Sequence, residues 1–270
     1  MAEAGFEPDV IAGSSVGSLV GAAVATGELD ALEQWVRDLT PADVLKLLDA
    51  RFRGGMIKGN RLMAAIESLL TDVPIEELGL PFGAVATDME LGREVWLQQG
   101  SVLAAVRASC ALPLLFSPVQ LGGRWLIDGG VVNPVPVSLC YAQGADVVIA
   151  VNLNPFHLER LRLIREKQRH ESESDADKSL MEQFKDAFGG LFAGGDEPGM
   201  LDVVSATIDI MQERITRSRL AGEPPQLEIH PHTDIQLMEF HRADDAIAAG
   251  RKAVEAAAAA LGELRQSLGG

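Results

Sequence analysis

The chain has 270 residues, 47% hydrophobic and 23% charged, the balance of a globular protein with enough apolar material for a sizeable core. A net charge of −16 argues against nucleic acid as a partner and against stable adhesion of the whole surface to anionic membrane. Two cysteines, Cys110 and Cys140, make no disulfide framework and point to a reducing, cytoplasmic setting.

The opening MAEAGFEPDV lacks the basic start and apolar core of a signal peptide. The longest apolar-looking run, Val10–Thr26, has turn chemistry in its middle and reads as strand and helix, not as a membrane span. Its strand is Val10–Ala12 and its helix Ser18–Thr26, closed by Gly27. Asp30–Leu39, Pro41–Ala50 and Asn60–Leu70 have helical amphipathic spacing. Phe82–Asp88 and Glu94–Gly100 read as strands, and the Met89–Arg93 link between them is short enough for a hairpin. Ser101 can cap a helix through Ser109, and Arg124–Asp128 is another short strand. Asn133 as N-cap, Pro134 as first helical residue and Gly144 as stop define the next helix. Ala145–Val151 is an apolar strand of the parallel type. Residues 157–198 are charged, then glycine-rich, without apolar periodicity, which predicts a mobile surface insertion. A helix near Met200–Arg219, a strand Pro225–Pro231 and an alanine-rich helix Ala243–Leu264 complete the chain. Strands alternating with helices argue for an α/β layer fold in one domain.

Two places carry chemistry. The first is Gly13-Ser14-Ser15-Val16-Gly17, where a strand runs through a sharp turn into a helix. That context suits a nucleophile elbow: glycines at 13 and 17 avoid collisions, Ser15 is held up, and the helix start at Val16 offers unpaired amides and a positive dipole end. Gly21, Ala22, Ala23 and Ala25 let the helix lie close to the sheet. Taken alone, the pattern equally describes a glycine-rich packing corner or a phosphate loop. The second place is Asp128, at a strand end and followed by Gly129-Gly130. A carboxylate so placed can approach another backbone closely and take a hydroxyl proton directly; alone it is also an ordinary turn. The five histidines give no recognisable histidine loop: His157 and His170 fall in the insertion, His230 and His232 flank a proline, and His241 precedes a helix.

Ser15 in its elbow and Asp128 in its DGG segment together resemble the patatin-like phospholipase family in its compact bacterial form. ATDMELGREVWL (Ala86–Leu97), AVRASCALPLLFSPV (Ala105–Val119), the segment Asp128–Leu153 and FHRADDAIAAG (Phe240–Gly250) are similar to that family's segments as well. The resemblance implies a three-layer α/β/α fold with a mainly parallel central sheet. It implies a Ser15–Asp128 dyad without histidine, acting on a phospholipid or other lipid ester through an acyl-enzyme. No metal or organic cofactor is expected, nor nucleic acid, while transient contact with a membrane surface is. MAEAGFEPD matches only the tail of the family's first helix. A strand, a glycine-rich oxyanion loop and most of a helix, about 30 residues, are therefore expected to be missing from the fold. The amide of Val16 remains as an oxyanion donor. Two explanations stand: an internal methionine of a longer protein, or a short chain of weak or no activity.

Two other readings fit the same residues. One is a non-catalytic member acting by binding. The other is an α/β-hydrolase esterase with a triad that uses His230, His232 or His241. RFRGGMIKGNR (Arg51–Arg61) carries four cations that could touch anionic headgroups, and its surroundings could act as a lid.

Overall fold

A computed structural model describes residues 1, 4–47, 59–113, 115–154, 200–233, 235 and 239–268. The central sheet is built on β2 (Phe82–Asp88), which is buried at every position. β1 (Ile11–Ser14) pairs with it in parallel, Ser14 opposite Val85. β3 (Arg93–Leu97) returns as the expected hairpin along the other edge. β5 (Arg124–Asp128) is antiparallel to β2, Asp128 opposite Ala86, and β4 (Val119–Leu121) pairs antiparallel with β5. Residues Ala84 and Val85 pair with both β1 and β3, and Ala86–Asp88 with both β3 and β5. β1 and β5 therefore share one edge of β2 and meet there end to end.

The α/β class holds, with mixed pairing: β1–β2 is parallel and the other three pairs of this sheet are antiparallel. A second parallel pair, β6 (Ile149–Val151) with β7 (Leu227–Ile229), forms a separate two-stranded sheet. The expected strand over Ala145–Val151 is thus confined to its last three residues.

Helices cover both faces. α1 (Val16–Ala25), α2 (Leu29–Asp38), α4 (Asn60–Glu67) and α5 (Val102–Ser109) close the main core with Phe82 and Ala84. Ala22 and Ala23 are fully buried, and a Cβ at Gly21 would lie 2.8 Å from Ile11 Cγ2, so small residues do set α1 close to the sheet. α3 (Pro41–Leu47) lies between α2 and α4 in the chain. Ser101 caps α5 as its sequence indicates, its Oγ accepting the Ala104 amide. On the other face α6 (Val137–Ala142) brings Leu139 against Gly83, and α7 (Met200–Gly222) is tied to β3 by Arg219 Nη2 donating to Glu94 Oε2 at 2.8 Å.

α6 departs from its expected start. Asn133 is not its cap; Pro136 holds that position. The sequence Asn133-Pro134-Val135-Pro136 explains the shift, because a proline disfavours helical backbone in the residue before it and two stand here in alternation. Asn133 Nδ2 instead donates to Glu94 Oε1 at 2.8 Å. The C-terminal helix is divided at Ala257 into α8 (Ala243–Ala256) and α9 (Ala258–Leu268), and Arg37 of α2 pairs with Asp244 of α8. The insertion at 157–198, with His157 and His170, and most of the basic stretch Arg51–Arg61 lie outside the described residues.

Candidate active site

The head-to-head meeting of β1 and β5 along β2 creates the site. β1 ends at Ser14 opposite Val85; β5 ends at Asp128 opposite Ala86. The two residues that follow and end these strands, 113 apart in sequence, thereby touch: Ser15 Oγ donates to Asp128 Oδ2 at 2.6 Å. Ser15 is half-buried in this notch at the middle of the β2 edge, not raised beyond the end of the sheet.

The turn that delivers the serine is strained. Ser15 has φ 52° and ψ −126°, and among the described residues it is the one non-glycine with positive φ. Such a conformation costs of order 1–3 kcal/mol and persists only where its surroundings over-determine it. They do so on both sides of the residue. The Ser15 amide donates to Ser109 Oγ at 3.0 Å, and Ser109 Oγ donates in turn to Val85 O at 2.6 Å. The Ser15 carbonyl accepts Ser18 Oγ at 2.6 Å and Cys110 Sγ at 3.1 Å. The end of α5 and the first turn of α1 thus grip the serine's backbone and leave its hydroxyl to Asp128.

Gly13 is a steric requirement of the turn, since a Cβ there would stand 2.3 Å from Gly17 O. Gly17 is not: a Cβ at that position meets nothing within 4 Å, which corrects the expectation that both glycines avoid collisions. Gly17 lies on the exposed side of α1, so its side-chain position points away from the sheet. Val16 begins α1, where backbone amides have no intrahelical acceptor.

Asp128 is fully buried and tightly held. Its amide donates to Ala111 O at 3.0 Å, and its carbonyl accepts Thr87 Oγ1 at 2.7 Å. Its Oδ1 accepts the Gly130 amide at 2.7 Å, while Oδ2 takes the serine hydroxyl. Gly129 lets the strand end press onto β2, since a Cβ there would fall 2.1 Å from Val85 O. At Gly130 a Cβ would fall 2.4 Å from Gln212 Nε2 of α7. Burial raises the Asp128 carboxyl to about 6, against the opposing pull of the Ser15 and Gly130 hydrogen bonds. The same surroundings push the Cys110 thiol up to about 12, through burial first and the negative charge of Asp128 second, so this cysteine stays a neutral donor.

Among the described residues, His230, His232 and His241 are placed elsewhere. His230 and His232 line a groove between β7 and the alanine face of α8 and α9, and His230 Nε2 lies 3.3 Å from Glu228 Oε1. His241 sits in the short 3-10 turn before α8. The oxygen next to the Ser15 hydroxyl is that of Asp128, and the histidine-based triad loses its geometric support. Sequence reading missed Ser18, Thr87, Ser109 and Cys110 as supports. For Ser109 and Cys110 the available signal was a run of small polar residues at a helix end just before Pro113.

A strand, a strained serine turn and an aspartate at the end of an antiparallel strand thus meet at one notch of an α/β sheet. The patatin-like phospholipase model matches residues 1–141. Over 297 aligned residues the chain is 32% identical to an uncharacterized NTE family protein of Mycobacterium tuberculosis, covering 92% of this chain and 82% of the relative. A second uncharacterized NTE family protein of that organism is 33% identical over 159 residues, 57% of this chain and 26% of the relative. Patatin-like phospholipase domain-containing protein 7 of Rattus norvegicus is 31% identical over 161 residues, 57% of this chain and 12% of the rat protein. The chain belongs to the patatin-like phospholipase family, whose membership points to lipid esters as substrates.

Proposed function

We propose that the chain is a serine lipid acyl hydrolase of the phospholipase, lysophospholipase or esterase type, and that Ser15 and Asp128 are its nucleophile and base. The observation that carries this reading is the 2.6 Å bond between Ser15 Oγ and Asp128 Oδ2, made by a serine in a strained turn. Asp128 Oδ2 takes the hydroxyl proton as Oγ attacks the ester carbonyl carbon. The tetrahedral intermediate collapses, the C–O bond to the alcohol breaks, and Asp128 returns the proton to that leaving oxygen. Water then attacks the acyl-serine, giving its proton to Asp128, and the freed serine oxygen takes it back as the fatty acid departs. The raised Asp128 pKa makes this carboxylate a better base than an exposed one. The Val16 amide and the positive end of α1 are the donors assigned to the oxyanion. We read the whole chain as one domain, without a metal or cofactor, working in the cytoplasm at a membrane surface; both cysteines are free, as a reducing compartment requires.

Labelling with a fluorophosphonate serine probe tests the assignment. The wild-type chain should label, Ser15→Ala should not, and Asp128→Asn should label far more slowly. Absence of labelling in a folded wild-type chain, or labelling that survives Ser15→Ala, overturns it.

A further inference from the structure

Two hairpin turns lie side by side beyond the site. The β2–β3 turn carries Met89 and Leu91, and the β4–β5 turn leads into Trp125. Met89 continues the register opposite Trp125, its amide donating to Trp125 O at 2.9 Å. All three side chains are open to solvent: Met89 by 49%, Leu91 by 63% and Trp125 by 41%. The turn that presents Leu91 is fixed, because the buried Asp88 carboxylate accepts the Glu90 and Leu91 amides, each at 3.0 Å. Arg93 and Arg124 are exposed at the feet of the two turns, with Glu90 the exposed acid among them. Trp125 is three residues before Asp128 on β5, a separation of about 10 Å along the strand.

We infer that these paired tips are the surface by which the protein settles on a phospholipid bilayer, with Met89, Leu91 and Trp125 entering the headgroup boundary and Arg93 and Arg124 meeting lipid phosphates. The inference rests on the lipid-hydrolase reading above. An apolar cluster at two hairpin turns, one of them pinned by Asp88, with an indole at its rim and cations beside it, matches a lipid interface: tryptophan favours a site that is apolar on one side and wet on the other. The two arginines supply local positive charge on a chain of net charge −16, which directs the contact to this end of the molecule. Among the described residues no helix is long and apolar enough to cross a membrane. The dyad, about 10 Å away along β5, is then close enough to receive an ester drawn part-way out of the leaflet.

Flotation with phosphatidylcholine vesicles, with and without a phosphatidylglycerol fraction, tests this without requiring turnover. The wild-type chain should partition onto both and more strongly onto the anionic ones. Met89→Ser/Leu91→Ser/Trp125→Ser should lower partitioning by roughly 30-fold. Arg93→Glu/Arg124→Glu, which leaves the apolar cluster intact and guards against misfolding of the triple variant, should remove only the anionic preference. Leu268→Ser, the loss of one exposed apolar side chain elsewhere, should change nothing. Hydrolysis of a monomeric short-chain ester should be unaltered in all variants, while vesicle hydrolysis follows partitioning. Vesicle binding undiminished in the triple variant, or an anionic preference that survives the charge reversal, overturns the proposal. So does a concentration-dependent dimer that the triple variant abolishes, since the tips would then face a second copy. A chain that floats as expected but hydrolyses no ester keeps this surface and loses the hydrolase reading.

Discussion

Asp128→Asn should make the protein more stable and inactive at once. The wild-type carboxylate is fully buried, and burial lifts its pKa from the ordinary 3.8 to about 6. At about 1.4 kcal/mol per pH unit, holding this group ionised costs the fold about 3 kcal/mol. The sign follows from proton uptake. Below 3.8 both folded and unfolded chains hold the proton and the cost is absent. Between 3.8 and about 6 only the folded chain holds it, so the stability contributed by this group is lost as pH rises. Above about 6 the whole cost is in place. Asparagine has the same shape and no charge: its oxygen can accept the Gly130 amide and its NH₂ can donate to Ser15 Oγ. Unfolding in urea and by heat across pH 4 to 8 should show a gain approaching 3 kcal/mol, about 6–12 °C in Tm, level above about pH 6 and shrinking below it. A gain that does not change with pH, or a destabilised Asp128→Asn at pH 8, would refute the claim that an unfavourable buried charge sits at this position.

The other expectations concern rate and packing. The same titration governs turnover: kcat/KM on a soluble ester should rise about tenfold per pH unit below pH 6 and level off above it, and a limb centred near 4 would show that Asp128 is not the group being read. Ser109→Ala removes the acceptor of the Ser15 amide and the donor to Val85 O, so kcat should fall about 5- to 150-fold with KM little changed; an equal loss in KM would mean that Ser109 serves substrate binding instead. Gly13→Ala, whose new methyl meets the Gly17 carbonyl, should destabilise the fold by about 3 kcal/mol or more. Gly17→Ala, facing open space in the first turn of α1, should stabilise it by about 0.4–1 kcal/mol in the same denaturation assay.

What could be read in the sequence, and what could not, divides along local and non-local lines. Phe82–Asp88 and Arg124–Asp128 are found with their observed bounds because each is a short β-rich run with turn residues beyond. β4 escapes notice at three residues, though Gly122-Gly123 behind it, both with positive φ, is a two-residue hairpin signal that would have revealed it. Ser15 and Asp128 are each ambiguous alone, since a serine between glycines and an Asp-Gly-Gly turn serve many non-catalytic ends. Their meeting depends on register, on Ser14 facing Val85 while Asp128 faces Ala86, and no local pattern encodes which strands share an edge. The same holds for Ser109 and Cys110, whose meaning comes from a helix end brought against a turn more than ninety residues away. Gly17 is the converse case. Its place in the motif suggests a packing constraint, and the space around it shows none. The elbow therefore folds on Gly13, whose Cβ would strike the Gly17 carbonyl, and makes no steric demand for the glycine at 17.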